Sequence, residues 1–130
     1  MGLGLDATEV PRIAAMLDAY GDRFRHRVYT PGEIAYCDAK EKKGAAASYA
    51  ARFAAKEAGM KAIGTGKSQG VLWRDIEVVR GAFGAPQLAF HGAAKQFFDR
   101  LGATKGLITI THTNDLAIVH VMLVLSLIHI

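Results

Sequence analysis

Residues 46–63 carry helical periodicity on two faces at once. At 100° per residue, Tyr49, Phe53, Met60 and Ile63 fall on one arc. Ala47, Ala51, Ala54, Ala55, Ala58, Gly59 and Ala62 fall on another. The first arc needs an apolar cover. The second has so little bulk that a neighbouring element can lie almost against the helix backbone. Such a helix is buried nearly all round, yet it carries Arg52, Lys56, Glu57 and Lys61. Lys56 projects within the bulky arc, with Arg52 and Glu57 on its two sides. Charges buried without partners are costly. These side chains must therefore reach an interface, a ligand or, by snorkelling, water.

The rest of the chain supplies elements to pack on that helix. Gly2-Leu3-Gly4-Leu5-Asp6 reads as a short strand with a close backbone approach. Val10, Ile13, Met16, Leu17 and Tyr20 recur at helical spacing, so a helix is expected over residues 8–20, closed by Gly21. Thr30-Pro31-Gly32-Glu33 is a capping box with proline at the first position. The helix it opens should end near the charged run Lys40–Gly44, expected to be exposed. Residues 71–80 and 87–90 read as a hairpin turned at Gly81–Pro86, residues 92–101 as a short helix, and residues 107–111 and 116–124 as a second hairpin. Helices first, then hairpin, helix and hairpin, argue for an α+β domain with an antiparallel sheet packed with helices. One domain is expected over residues 1–124. The last six residues, Leu125–Ile130, resemble a translated sequencing-adaptor scar and are set apart as a non-native tail.

Charge and cysteine content exclude some functions. With a net charge of +4 the chain favours an anionic partner. No nucleic-acid motif accompanies that charge, so nucleic acid is not expected. The apolar C-terminal run is shorter than the roughly 20 residues a membrane-spanning helix needs, and no signal peptide is evident. The single cysteine, Cys37, excludes an internal disulfide and a cysteine-built zinc site. It points to a reducing compartment, the cytoplasm.

Several residues have two readings. Asp6, at the end of an apolar strand, caps the following helix or binds a hard cation. Glu57 forms an i,i+4 ion pair with Lys61 or binds a metal, since magnesium commonly takes only one or two protein carboxylates. Gly64-Thr65-Gly66 closes a helix or brings backbone N–H groups to a phosphate. His112, among threonines after a strand, is structural or faces a ligand. Arg12, Arg23, Arg25 and Arg27 form a solvated face or a dock for an acidic protein surface. No serine or cysteine nucleophile has a local histidine and acid signature, so covalent catalysis has no support.

Taken in order, these pieces resemble the holo-acyl-carrier-protein synthase family, a branch of the 4′-phosphopantetheinyl transferases. The matching segments are Gly2–Asp6, Arg12-Ile13, Arg23-Phe24, Arg27–Thr30, Arg52–Ala58, Lys61-Ala62, Gly64–Gly66, Trp73–Val78 and Ile110–Thr113. The resemblance implies that fold, and transfer of 4′-phosphopantetheine from coenzyme A to a serine of acyl carrier protein for fatty acid biosynthesis. The co-product is adenosine 3′,5′-bisphosphate. It implies magnesium on Asp6 and Glu57, with Lys61 assisting catalysis. Arg52, Lys61, Gly64, Thr65, Gly66 and His112 are then expected near coenzyme A, in sites between subunits of a homotrimer. Arg12, Arg23 and Arg27 are expected to meet the carrier protein. The chain departs from the family at Gly84-Ala85-Pro86, where the family commonly has a lysine between glycine and proline.

Overall fold

A computed structural model describes residues 2–81 and 84–126. Its elements are β1 (Leu3–Glu9), α1 (Val10–Tyr20), α2 (Asp22–Val28), α3 (Pro31–Asp38) and α4 (Lys42–Ala62). A short 3₁₀ turn (Trp73–Asp75) follows. Then come β2 (Ile76–Arg80), β3 (Pro86–Phe90), α5 (Gly92–Arg100), β4 (Ala103–His112) and β5 (Leu116–Leu125). The five strands form one antiparallel sheet in the order β1-β5-β4-β3-β2. The expected α+β class is thus the observed one.

The sheet is two-faced because β5 alternates. Ala117, Val119, Val121 and Leu123 point inward and are buried, while Ile118, His120 and Met122 point out. Helix α4 lies across the inner face. Its alanine arc meets β1 so closely that a Cβ built on Gly4 would stand 1.9 Å from the Ala58 carbonyl oxygen. Only glycine fits there. The apolar core has two parts, one between the sheet, α4 and α5 and one among α1–α4. Tyr29 and Tyr49, both fully buried, pack edge to face at 4.7 Å in the second.

Several boundaries differ from the sequence expectation. β1 runs to Glu9, because Ala7 and Thr8 continue the ladder opposite Ile118 and Ala117. The helix expected from residue 8 therefore starts at Val10. α2 was not anticipated: its sequence is mostly charged, but Phe24 and Val28, one turn apart, bury into the core. α4 begins at Lys42 rather than near residue 46, so the charged run, exposed as expected, supplies the helix's first turn. The strand expected from residue 71 begins only at Ile76, since Asp75 Oδ2 accepts the Leu72 N–H and curls residues 73–75 into a turn. The capping box is present as expected: the Thr30 hydroxyl accepts from Glu33 N–H, and Glu33 Oε1 accepts from Thr30 N–H. Leu125, the first residue set apart as tail, continues β5 opposite Ala103, and Ser126 N–H donates to the Gly102 carbonyl. The other tail residues, 127–130, and residues 82–83 of the hairpin turn lie outside the described residues. Among the described residues no helix is long and apolar enough to cross a membrane.

Candidate active site

The close approach of Gly4 to Ala58 sets the site. Asp6 lies two residues beyond Gly4 on the same strand face, and Glu57 immediately precedes Ala58. Packing β1 against α4 therefore brings the two carboxylates together. Asp6 does not cap α1: the N-cap is Glu9, which makes no side-chain capping bond. Nor does Lys61 close an ion pair with Glu57. Its Nζ donates to Asp6 Oδ1 at 2.9 Å and to the Leu5 carbonyl at 3.0 Å.

The pair is electrostatically unbalanced. Asp6 Oδ2 is buried and has no hydrogen-bond partner. The Glu57 carboxyl is pushed up to about 7, first by burial and then by the Asp6 charge beside it. The positive charges of Arg12 and Lys61 only partly offset this. An orphaned carboxylate oxygen beside a carboxyl held near neutrality is an arrangement that a hard cation relieves. Among the described residues no group of three or more His, Cys, Asp or Glu side chains is placed to hold a metal. The donor set is two carboxylates, which fits magnesium's habit of filling its shell with water and phosphate oxygens.

Glu57 and Lys61 open onto a groove of about 300 Å³, also lined by Met60, Gly66, Lys67 and Trp73. Gly66 bounds it, but the glycine turn has little to offer a phosphate through its backbone. The N–H groups of Thr65 and Gly66 both donate to the Met60 carbonyl, and that of Gly64 to Lys61. They cap α4, which is the simpler of the two sequence readings. Gly64 and Gly66 have φ of +84° and +56°, which explains the glycines.

Arg52 and His112 lie elsewhere. They line a second cavity of about 510 Å³ together with Tyr36, Lys40, Ser48 and Arg80. Arg52 is buried, donates to Ser48 Oγ at 2.9 Å and stacks 4.1 Å from the centre of the Tyr36 ring. Its Nε has no partner. Arg80 approaches the same ring at 4.5 Å and bonds the Tyr36 hydroxyl. Burial pushes the Tyr36 phenol up, but Arg80, Lys40 and Arg52 outweigh it and lower it overall. Sequence reading missed Tyr36, Lys40 and Arg80. Arg80 ends β2 opposite Pro86, so the hairpin register was the signal that could have located it. The two linings share no residue. Within one chain, the residues expected around coenzyme A are thus divided between two places.

The arginines divide as well. Arg23 and Arg27 line a hollow of about 450 Å³ with Met16, Tyr20 and Phe24. Arg12, one turn before Met16 on α1, stacks 5.5 Å from the centre of the Phe53 ring and acts on Glu57. Arg25 is paired with Asp22 and Asp38.

Comparison with known proteins identifies the family. The family model of the 4′-phosphopantetheinyl transferase superfamily matches residues 2–119. The holo-[acyl-carrier-protein] synthase of Solibacter usitatus is 50% identical over 95% of this chain and 97% of that protein. The crystal structure of the Bacillus anthracis holo-(acyl-carrier-protein) synthase in complex with CoA (3′,5′-ADP) superposes with a TM-score of 0.78. It is 32% identical and covers 96% of each chain. The Helicobacter pylori holo-[acyl-carrier-protein] synthase in complex with coenzyme A gives 0.79 at 26% identity, over 94% of this chain and 99% of that one. With the family model spanning residues 2–119, this protein belongs to the 4′-phosphopantetheinyl transferase superfamily.

Proposed function

We infer that the chain transfers 4′-phosphopantetheine from coenzyme A to a serine hydroxyl of acyl carrier protein. This makes holo carrier for fatty acid biosynthesis and releases adenosine 3′,5′-bisphosphate. The observation that carries the reading is the Asp6–Glu57 pair, with its orphaned oxygen and raised carboxyl. Attack of a hydroxyl on a phosphoanhydride needs alignment and charge neutralisation more than a protein nucleophile. Asp6 and Glu57 would hold magnesium, which supplies Lewis-acid stabilisation of the pyrophosphate. Lys61, beside Asp6, places a fixed positive charge where the leaving phosphate gains negative charge. Arg52 and His112, in their basic cavity, hold the anionic part of coenzyme A. Gly66 leaves open space at the groove, and Gly64 and Thr65 complete the turn that holds it there. Arg12, Arg23 and Arg27 present positive charge to an acidic carrier surface.

The working form is a homotrimer with sites between subunits. The division of the site supports this: one copy offers Asp6, Glu57 and Lys61, and a neighbour offers Arg52 and His112. The outer sheet face also supports it, since Leu3, Leu5, Leu107, Ile118 and Met122 are exposed there. Leu5 adjoins Asp6, while Ile108 and Thr109 border both the outer apolar hollow and the basic cavity. A copy seated on that face joins the two halves. The cytoplasm, which keeps Cys37 reduced, is the compartment.

Two experiments test the reading. Release of adenosine 3′,5′-bisphosphate from coenzyme A should require apo carrier and stop on chelation of magnesium. Mixed oligomers of Glu57→Ala and His112→Ala chains should regain about a quarter of parental activity, because one neighbouring pair in four then has both halves intact. Failure to regain any activity would place the whole site within one chain.

A further inference from the structure

Lys56 has no part in the chemistry above, yet it is fully buried. Its Nζ donates to Glu33 Oε1 at 2.7 Å, the Ile76 carbonyl at 2.6 Å and the Trp73 carbonyl at 3.2 Å. All three ammonium donors are used. Glu33 is equally engaged. Its Oε1 also accepts from Thr30 N–H and its Oε2 from Val78 N–H, each at 2.9 Å. Apolar residues of similar volume commonly fill such a space at no loss of stability. Net stability is therefore a poor reason for this pair, and what it fastens is a better one.

It fastens the two walls of the groove. Lys56 is the neighbour of Glu57 on α4, which forms one wall. Trp73 forms the other, and its ring stacks on Phe53 at 4.8 Å with Lys67 6.0 Å from its centre. The Trp73 and Ile76 carbonyls bracket the 3₁₀ turn, and both are tied to α4 through this one ammonium. We propose that Lys56 is a positioning residue: by holding the Trp73 turn against α4 it sets the width of the groove and the place of the Glu57 carboxylate. The proposal rests on the reading of Glu57 as a metal ligand.

The test uses Lys56→Met/Glu33→Gln, which leaves no buried charge unpaired. Two readouts are independent of turnover. Manganese binding without coenzyme A, followed by electron paramagnetic resonance, reports the carboxylate pair. Acrylamide quenching of Trp73, the single tryptophan of the chain, reports the wall. The double variant should keep the parental circular dichroism, bind manganese roughly 10- to 100-fold more weakly and expose Trp73 to quencher, as loss of a residue that orients a ligand does. A folded double variant with parental manganese affinity and parental quenching would make Lys56 a packing residue only and overturn the proposal. Should that variant fail to fold, Lys56→Gln/Glu33→Gln, again without a buried charge but with residue 56 too short for the Trp73 carbonyl, carries the same two expectations. If the parent itself binds no manganese, the metal reading fails, and quenching alone decides whether Lys56 holds the wall.

Discussion

Lys61 Nζ lies 2.9 Å from Asp6 Oδ1, joining α4 to β1 one turn beyond the point where Gly4 touches Ala58. The ammonium comes from the solvent side, with the Lys61 side chain 54% exposed, but the Asp6 side chain it meets is only 11% exposed. Removing Lys61 leaves that largely buried carboxylate without its donor, at a cost of about 1–3 kcal/mol. Lys61→Ala should therefore melt several degrees below the parent yet stay folded at assay temperature, while kcat per folded molecule falls roughly 10²-fold, the usual cost of losing one charge-stabilising donor. Thermal melts and steady-state kinetics check this. Parental kcat would remove Lys61 from the catalytic set.

Glu57 gives a prediction in which activity and stability move in opposite directions. Its ordinary value is 4.5 and its folded value about 7. In that window the folded chain binds a proton that the unfolded chain has lost, so stability falls as pH rises from 4.5 to 7, and the penalty is complete above 7. Glu57→Gln should thus raise the melting temperature at pH 8 and leave it unchanged at pH 4. With Glu57 part-exposed, the gain at pH 8 is about 1 kcal/mol after solvent screening, or roughly 3 °C. Transfer should be lost at both pH values. Melts across pH settle it, and an unchanged profile would mean that the pair is already balanced.

Gly4→Ala should be among the most destabilising single changes. The added carbon meets backbone rather than a flexible side chain, 1.9 Å from the Ala58 oxygen. β1 must move off α4, at a cost on the order of 3 kcal/mol or more. Asp6 moves with it, so residual activity should fall further than the folded fraction does. Urea titration and activity per folded molecule provide the two measurements.

Much of this was legible in the sequence, for identifiable reasons. The alanine arc of residues 46–63 announced a close approach, and the structure has it at Gly4 and Ala58. The Thr30–Glu33 capping box was readable because its four residues act locally. α2 was not readable, since its helicity comes from two buried side chains rather than from any long pattern. The Lys56–Glu33 pair was hidden for the same reason: its members are 23 residues apart, and only the packing of α3 on α4 joins them. Asp6 and Glu57 could be named singly, but a capping aspartate and a surface glutamate would look alike in sequence. Their juxtaposition, and the orphaned Asp6 Oδ2, belong to the fold.

Arg23→Glu and Arg27→Glu should each raise the carrier KM roughly tenfold, with the coenzyme A KM unchanged, because both line a hollow that shares no residue with the carboxylate groove. Added salt should raise the carrier KM of the parent and have less effect on the variants. Equal effects on both substrates would mean that the hollow is not the carrier dock.

The most direct measurement of the central claim is the intact mass of an apo acyl carrier protein after incubation with coenzyme A, magnesium and this chain. The carrier should gain one phosphopantetheine group, and the gain should vanish with chelator, with Asp6→Asn and with Glu57→Gln. Transfer at the parental rate by both carboxylate variants, or no gain with any of several carriers, would contradict the account.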